Sequence, residues 1–496
     1  MVRAFGYASV VFCVLALVMS PTVLAQTPSS QSDGQTRRVV ALEIDGRGEP
    51  DPPLKYRFIP SYGDVQPGNA ATFYYRAIVL LPRGEDEQYG EKQAAWSSLP
   101  LNQFPKDEAR AWLRPYAQAL EEVARASVRE RCDWNLRVRE LTGTAPIELL
   151  LPELSPLRNL ARTLRIRSRL EIAEGRFDDA LHTLRCGYQL GVHVGKTEVL
   201  VGDLVGLAIA GIMNDSVEDW IQSGGPNLYW ALASLPNPLV DMRKSLEQEM
   251  NLPLQLFPYL KDPESVDYTA EQWRQVFGEA VKNLSRVSPG NGNDSGDGPP
   301  SWRETFAASG MVTRAYADAK KELIAVGMDP KKVEAMPVGQ VVAIQAARAY
   351  RAIYQQTMKW SMLPYWQSHV QMEAAYKKLR TQGFLGGEGT RREVIPIASI
   401  LLPATNSALF SVVRVQREVA ALQTIEAIRM YVAGSGGKLP SNLEQIVELP
   451  TPIDPVTGKL FAFTLDGQSA MLELEPPSTR NHPRFGMKYH LKVTDK

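Results

Sequence analysis

The feature that most constrains this chain is an apolar periodicity of three and four residues that runs, with breaks, from Asn69 to Ala433. Within Lys106–Leu141, Trp112, Tyr116, Leu120 and Val123 fall on one helical stripe, with Pro105 before the segment and Gly143 after it. The pattern continues through 156–222, 238–256, 267–283, 301–326, 337–380 and 393–433. Stripes of this kind are stable only when buried against one another, so the sequence predicts a mainly α body of packed helical hairpins. Two segments break the pattern. Residues 286–300 (RVSPGNGNDSGDGPP) and 383–392 (GFLGGEGTRR) have a turn-forming composition that cannot fill a core. Strand signals lie only at the ends. Arg38–Ile44 and Leu54–Ile59 are separated by Gly46, Gly48, Pro50, Pro52 and Pro53, and further strands follow Gly434.

Composition narrows the class. With 44% hydrophobic residues, 22% charged residues and 55 Lys+Arg against 55 Asp+Glu, the chain reads as globular, without the basic excess of a general nucleic-acid binder. The N-terminus reads as an export signal: Arg3, an apolar run at Val10–Val18, then Val23-Leu24-Ala25 as a small-residue cleavage site before Gln26. The run is too short to span a bilayer, and no later segment is expected to cross one. Removal of residues 1–25 takes one arginine with it and leaves 54 basic against 55 acidic residues. In an oxidising compartment, periplasmic or extracellular, the remaining pair Cys132 and Cys186 is expected to form a disulfide. Closing that 54-residue separation would contribute about 4 kcal/mol on the chain-entropy model. Buried free thiols are the alternative.

The most specific local pattern is at 157–189. Leu157, Leu160, Ala161 and Leu164 precede Ala173, Phe177 and Ala180, with Gly175 placed for a tight turn between two helices. This spacing resembles one tetratricopeptide repeat, with Leu157, Ala161 and Leu164 at the motif's Trp, Gly and Tyr places and Arg185 where the motif ends in Pro. The resemblance implies a tetratricopeptide-like helical array, although one repeat length in either direction shows no second copy. On the first helix Arg158, Arg162, Arg165 and Arg169 step by four, three and four, a row about 16 Å long. Such a row suits a carboxylate- or phosphate-bearing partner, or ion pairs with Glu121, Glu122 and Glu130. On the second helix His182, Cys186 and His193 share a face. His182 and Cys186 are one turn apart, but His193 lies about 10 Å further along, too far for one metal ion.

Near the C-terminus, Val412–Val432 reads as an amphipathic helix ended by Gly434, Gly436 and Gly437, followed by a short helix at 442–448. Asp454-Pro455-Val456-Thr457-Gly458-Lys459 is a turn, and Leu460–Leu465 and Ser469–Leu474 flank the hairpin signal Asp466-Gly467, with Lys488–Val493 as a third strand. Tyr431, Gly437, Leu439, Pro440, Asp454, Pro455, Gly458 and Lys459 resemble the C-terminal half of a type II secretion major pseudopilin over about 70 residues. That family's membrane helix and calcium-loop acids have no counterpart here, so neither filament assembly nor calcium follows. The combination of helical array and pseudopilin-like tail is similar to secreted proteins of planctomycete-type bacteria.

The organisation expected is therefore a signal at 1–25, a polar leader with short strands at 26–62, a helical array at 63–285, a linker at 286–300, a helical region at 301–392, and a long helix with a β-hairpin tail at 393–496. No nucleophile elbow, zinc-protease helix or dinucleotide fingerprint occurs, and Gly434–Lys438 ends a helix rather than opening one, unlike a phosphate loop. No catalytic residue, metal ligand or cofactor is assigned. The leading expectation is a non-enzymatic envelope interaction or structural module. The alternatives are a hydrolase with a non-local site, for which His369 among Trp360, Tyr365, Trp366 and Tyr376 is the candidate, and a metal or haem binder using His182 and Cys186.

Overall fold

The computed structural model describes residues 37–82, 87–142, 145–287, 299–382, 397–480 and 482–494. The expected export signal at 1–25, the expected polar leader up to residue 36, most of the 286–300 break and the 383–392 joint lie outside the described residues.

The longer helices, in chain order, are α1 (Ala70–Val79), α2 (Glu87–Ser98), α3 (Lys106–Leu113), α4 (Ala117–Ser127), α5 (Leu154–Ala173), α6 (Phe177–Val194), α7 (Leu200–Gln222), α8 (Arg243–Leu256), α9 (Ala270–Val287), α10 (Trp302–Ala325), α11 (Val338–Ser361), α12 (Tyr365–Gln382) and α13 (Ile397–Gly434). The strands are β1 (Arg38–Ile44), β2 (Gln66–Asn69), β3 (Arg129–Arg131), β4 (Ala462–Asp466), β5 (Ser469–Leu474) and β6 (Met487–Val493). The fold is mainly α with a small mixed sheet near the C-terminus.

Helices α5, α6 and α7 pack on one another, and their facing residues form the centre of the main core. Leu157, Leu160, Ala161, Leu164 and Ala180 are all buried there, and Gly175 makes the intervening turn at φ +73°. The α6–α7 contact is unusually close: a Cβ on Gly206 would lie 2.5 Å from the Gly191 carbonyl oxygen. A second apolar cluster joins α9, α10 and α11 around Trp273, Phe277 and Leu323.

The four-stranded sheet has the order β1-β6-β5-β4. The hairpin β4–β5 pairs Asp466 with Ser469, so the turn is Gly467-Gln468, one residue later than the Asp466-Gly467 reading, with Gly467 at φ +59°. β1 runs parallel to β6 from Arg38↔Met487 to Ile44↔Val493. The N-terminal strand thus completes the C-terminal sheet, and its residues Leu42 and Ile44 enter the same core as Leu472, Tyr489 and Leu491.

Several expectations are corrected. Lys106–Leu141 is not one helix: Pro115 lacks an amide proton and a 3-10 turn at Arg114–Tyr116 divides α3 from α4. The chain then leaves helix at Val128 for the short β3. Leu54–Ile59 is not a strand. Its Tyr56 and Phe58 are buried as the alternation implies, but against the rings of Trp220 and Tyr188 rather than beside another strand. The segment at 442–448 contains only a 3-10 turn, Leu443–Gln445, capped by the Asn442 side chain. Among the described residues one helix, α7, is long and apolar enough to cross a membrane by length and composition alone. It is instead a core helix, with Met213, Val217, Trp220 and Ile221 wholly buried.

Candidate functional site

The arginine row does not stay together. Helix α5 turns Arg165 and Arg169 inward onto α7, where both meet Asp219, at 2.5 Å and 3.0 Å. Arg165 also donates to Ser216 Oγ at 3.0 Å, and Arg169 donates to the carbonyls of Ser97 and Leu99. Burial holds the Arg169 pKa down to about 10, with the Asp219 charge opposing that shift. These two arginines are internal struts and cannot bind a partner.

Arg158 and Arg162, one turn nearer the helix start, behave differently. Arg158 is half-buried and its Nε atom has no hydrogen-bond partner. Arg162 is exposed and reaches only Asn159 Oδ1, at 3.5 Å. Neither has an acidic partner among the described residues. Burial, and next the like charge of Arg162, pull the Arg158 pKa below its ordinary value. Of the acids offered by the sequence, Glu122 pairs with Arg76 and Arg125, and Glu121 with Arg125. Asp219 was the partner sequence reasoning missed. Its spacing from Asp215, one turn along α7, is a visible signal, but only packing shows which helix those acids face.

The expected disulfide is not formed: Cys132 and Cys186 are buried free thiols. Each fills its own niche. Cys186 Sγ donates to Ser127 Oγ at 3.7 Å and lies 3.8 Å from His182 Nε2, whereas Cys132 sits by the Ala71 backbone. Burial pushes Cys132 up to about 12 and Cys186 to about 11, so neither is a thiolate near neutrality. His193 is engaged by a different partner. Its Nδ1 meets the Tyr74 hydroxyl at 2.9 Å, and burial, then the Lys196 charge, hold its pKa down to about 3. Among the described residues no three His, Cys, Asp or Glu side chains are placed to hold a metal ion.

His369 stacks on Tyr365 and bonds that residue's carbonyl through Nδ1 at 3.1 Å, with Nε2 3.4 Å from Ser478 Oγ. Its ring is committed to holding α12 near the C-terminal segment. Asp179 pairs with Arg176 at the start of α6. Gly434–Lys438 is a helix stop: the Gly437 amide donates to the Val432 carbonyl at 3.0 Å, and Gly436 and Gly437 take φ of +67° and +85°.

A cleft of about 740 Å³ lies between the Cys132–Arg137 segment, the Gly195–Glu198 turn and the Pro238–Ser245 segment. Asn135, Arg137 and Glu198, at φ +53°, +49° and +58°, all line it, and they are the only non-glycine residues with positive φ among the described residues. Such backbones cost free energy and are kept where surrounding structure fixes them, often at ligand sites. No short motif marks this cleft, because its three walls are far apart in sequence.

No known family pattern matches the chain, and no curated protein or solved structure is significantly similar to it.

Proposed function

We propose that this chain is an exported helical interaction module that docks an anionic group of an envelope partner on Arg158 and Arg162. The observation that carries the reading is the division of the arginine row. Two guanidinium groups pair internally with Asp219, while the neighbouring two have no acidic partner among the described residues. A carboxylate or phosphate bridging Arg158 and Arg162 would supply that charge through forked hydrogen bonds. The leader at Val10–Val18 followed by Val23-Leu24-Ala25 supports export.

The test is retention of partners from envelope extract on the immobilised mature chain, eluted with rising salt. Arg158→Glu with Arg162→Glu is expected to lose at least nine-tenths of the retained partner, whereas Arg125→Glu on the exposed side of α4 leaves it unchanged. Equal retention by the double variant overturns the proposal. Export is checked separately by fusing residues 1–30 to a phosphatase that folds only outside the cytoplasm.

A further inference from the structure

The corner between α11 and α12 leaves its apolar side chains in water. Helix α11 ends at Ser361 and α12 begins at Tyr365, so Met362 and Leu363 form the corner itself. Trp366 and Val370 follow on α12, one turn apart and therefore on one face. All four are between 38% and 75% exposed. The other face of α12 is occupied, with Tyr365 and Met372 buried in a cluster with Phe410, Val413 and Val456. Single exposed apolar residues are ordinary, but four on one corner make a patch.

Four cations stand beside this corner. Lys359, in the last turn of α11, lies 4.9 Å from the Trp360 ring. Lys459 follows Gly458, where an added Cβ would lie 2.6 Å from the Trp366 ring, so the 454–459 turn touches the patch. Arg480 lies 5.0 Å from the Phe410 ring, itself 6.0 Å from that of Tyr365. Arg484 lies 4.7 Å from the ring of Phe485, which packs on Phe410. Among the described residues none of the four cations forms an ion pair. Asp454, the acid in the turn that carries Lys459, is already committed to Arg417 at 2.6 Å. Stacking on the rings holds the two guanidinium groups without using their N–H donors.

We propose that the α11–α12 corner docks on a membrane surface bearing anionic lipids. Met362, Leu363, Trp366 and Val370 enter the boundary between headgroups and acyl chains, while Lys359, Lys459, Arg480 and Arg484 meet the lipid phosphates. The charge decides for lipid over a protein partner. Interfaces between proteins are depleted in lysine, whereas Trp and aliphatic side chains flanked by Lys and Arg match the headgroup boundary of a bilayer. The long basic stems lie along the apolar layer and keep their charges in the wet one. This surface shares no residue with the arginine pair on α5, and either can fail without the other.

Co-sedimentation with vesicles of phosphatidylcholine, alone or mixed equally with phosphatidylglycerol, tests it on the chain from Gln26 onward, which excludes the apolar Val10–Val18 run. Binding to the mixed vesicles is expected to be about tenfold tighter or more than to the neutral ones, and to weaken as salt rises. At about fivefold for each charge, K459Q/R484Q should weaken it about twentyfold. M362D/L363D, at two exposed positions, should weaken it about tenfold or more while the circular dichroism stays native. W302S/F306S, which removes an equally exposed apolar pair on α10, and R158E/R162E should each bind as the native chain does. No binding, or equal binding to both kinds of vesicle, would overturn the proposal. So would a loss in W302S/F306S that matches the loss in M362D/L363D. A dimer in solution that M362D/L363D dissociates, with no vesicle binding, would assign the corner to a second copy instead.

Discussion

Among individual side chains, Arg429 has the most at stake. It has no exposed surface, and it donates to Asp45 Oδ1 at 2.9 Å, to both Glu426 oxygens at 3.0 Å and to the Gly225 carbonyl at 2.7 Å. It therefore ties the end of β1, α13 and the turn after α7 to one point. Removing one member of a buried ionic cluster leaves the others uncompensated, so Arg429→Met should lose about 3–5 kcal/mol in urea unfolding. Adding D45N and E426Q to that variant should recover part of the loss. His193 gives a second prediction, in pH. The folded ring takes a proton only near pH 3, against about 6.5 when exposed, so unfolding takes up a proton between those values. Stability conferred by the neutral ring is complete above pH 6.5 and falls as pH drops through the window, by about 3 kcal/mol at pH 4. His193→Gln should shrink the difference between urea unfolding at pH 7 and pH 4 by about that amount; an unchanged difference would refute the assignment.

At the scale of elements, the α6–α7 pair is set by backbone proximity rather than by long side chains. Gly206→Ala places a methyl against the Gly191 carbonyl and the Gly195 amide, backbone atoms that cannot step aside, and should destabilise by about 1–3 kcal/mol. Gly211, on the same helix, has nothing within 4 Å of its added Cβ, and Gly211→Ala should stabilise by about 0.5–1 kcal/mol through helix propensity. Opposite shifts in melting temperature check both. The turn at 454–459 shows the same dependence on packing. Asp454 Oδ1 accepts from the Val456 amide as its sequence implies, yet Oδ2 also receives Arg417 of α13 at 2.6 Å, in a pair that is almost wholly buried. Elements with their own start and stop signals were legible one by one: Leu157 to Ala180 around Gly175, and Ser469–Leu474 after its turn. Elements whose state depends on a neighbour were not. Leu54–Ile59 has the alternation of a strand but no edge to join, and Lys106–Leu141 has the helical stripe but Pro115 inside it.

For the whole molecule, the decisive event is the return of the chain to its beginning. β1 pairs with β6 across more than 400 residues of sequence, and Arg38 reaches α7 at Asp215 and Glu218, both at 2.9 Å, while the Tyr489 hydroxyl donates to Glu218 at 2.9 Å. Deleting residues 38–44 should therefore speed hydrogen exchange of the Tyr489 and Leu491 amides at least a hundredfold, although neither residue is removed; unchanged protection would show that the sheet stands without its first strand. By itself the sequence determined what local periodicity, turn chemistry and charge can determine: a mainly helical body, the hairpin at 157–189, the strands at 38–44 and 469–474, and a row of arginines on one helical face. Only the tertiary structure decided which arginines pair with Asp219, that Cys132 and Cys186 occupy separate niches, that β1 runs beside β6, and that three distant segments enclose a cleft. The reason is the range of the forces involved. Periodicity and capping act within a few residues and are written in order along the chain, whereas burial and ion pairing act through space, between groups whose separation in sequence carries no trace of their contact.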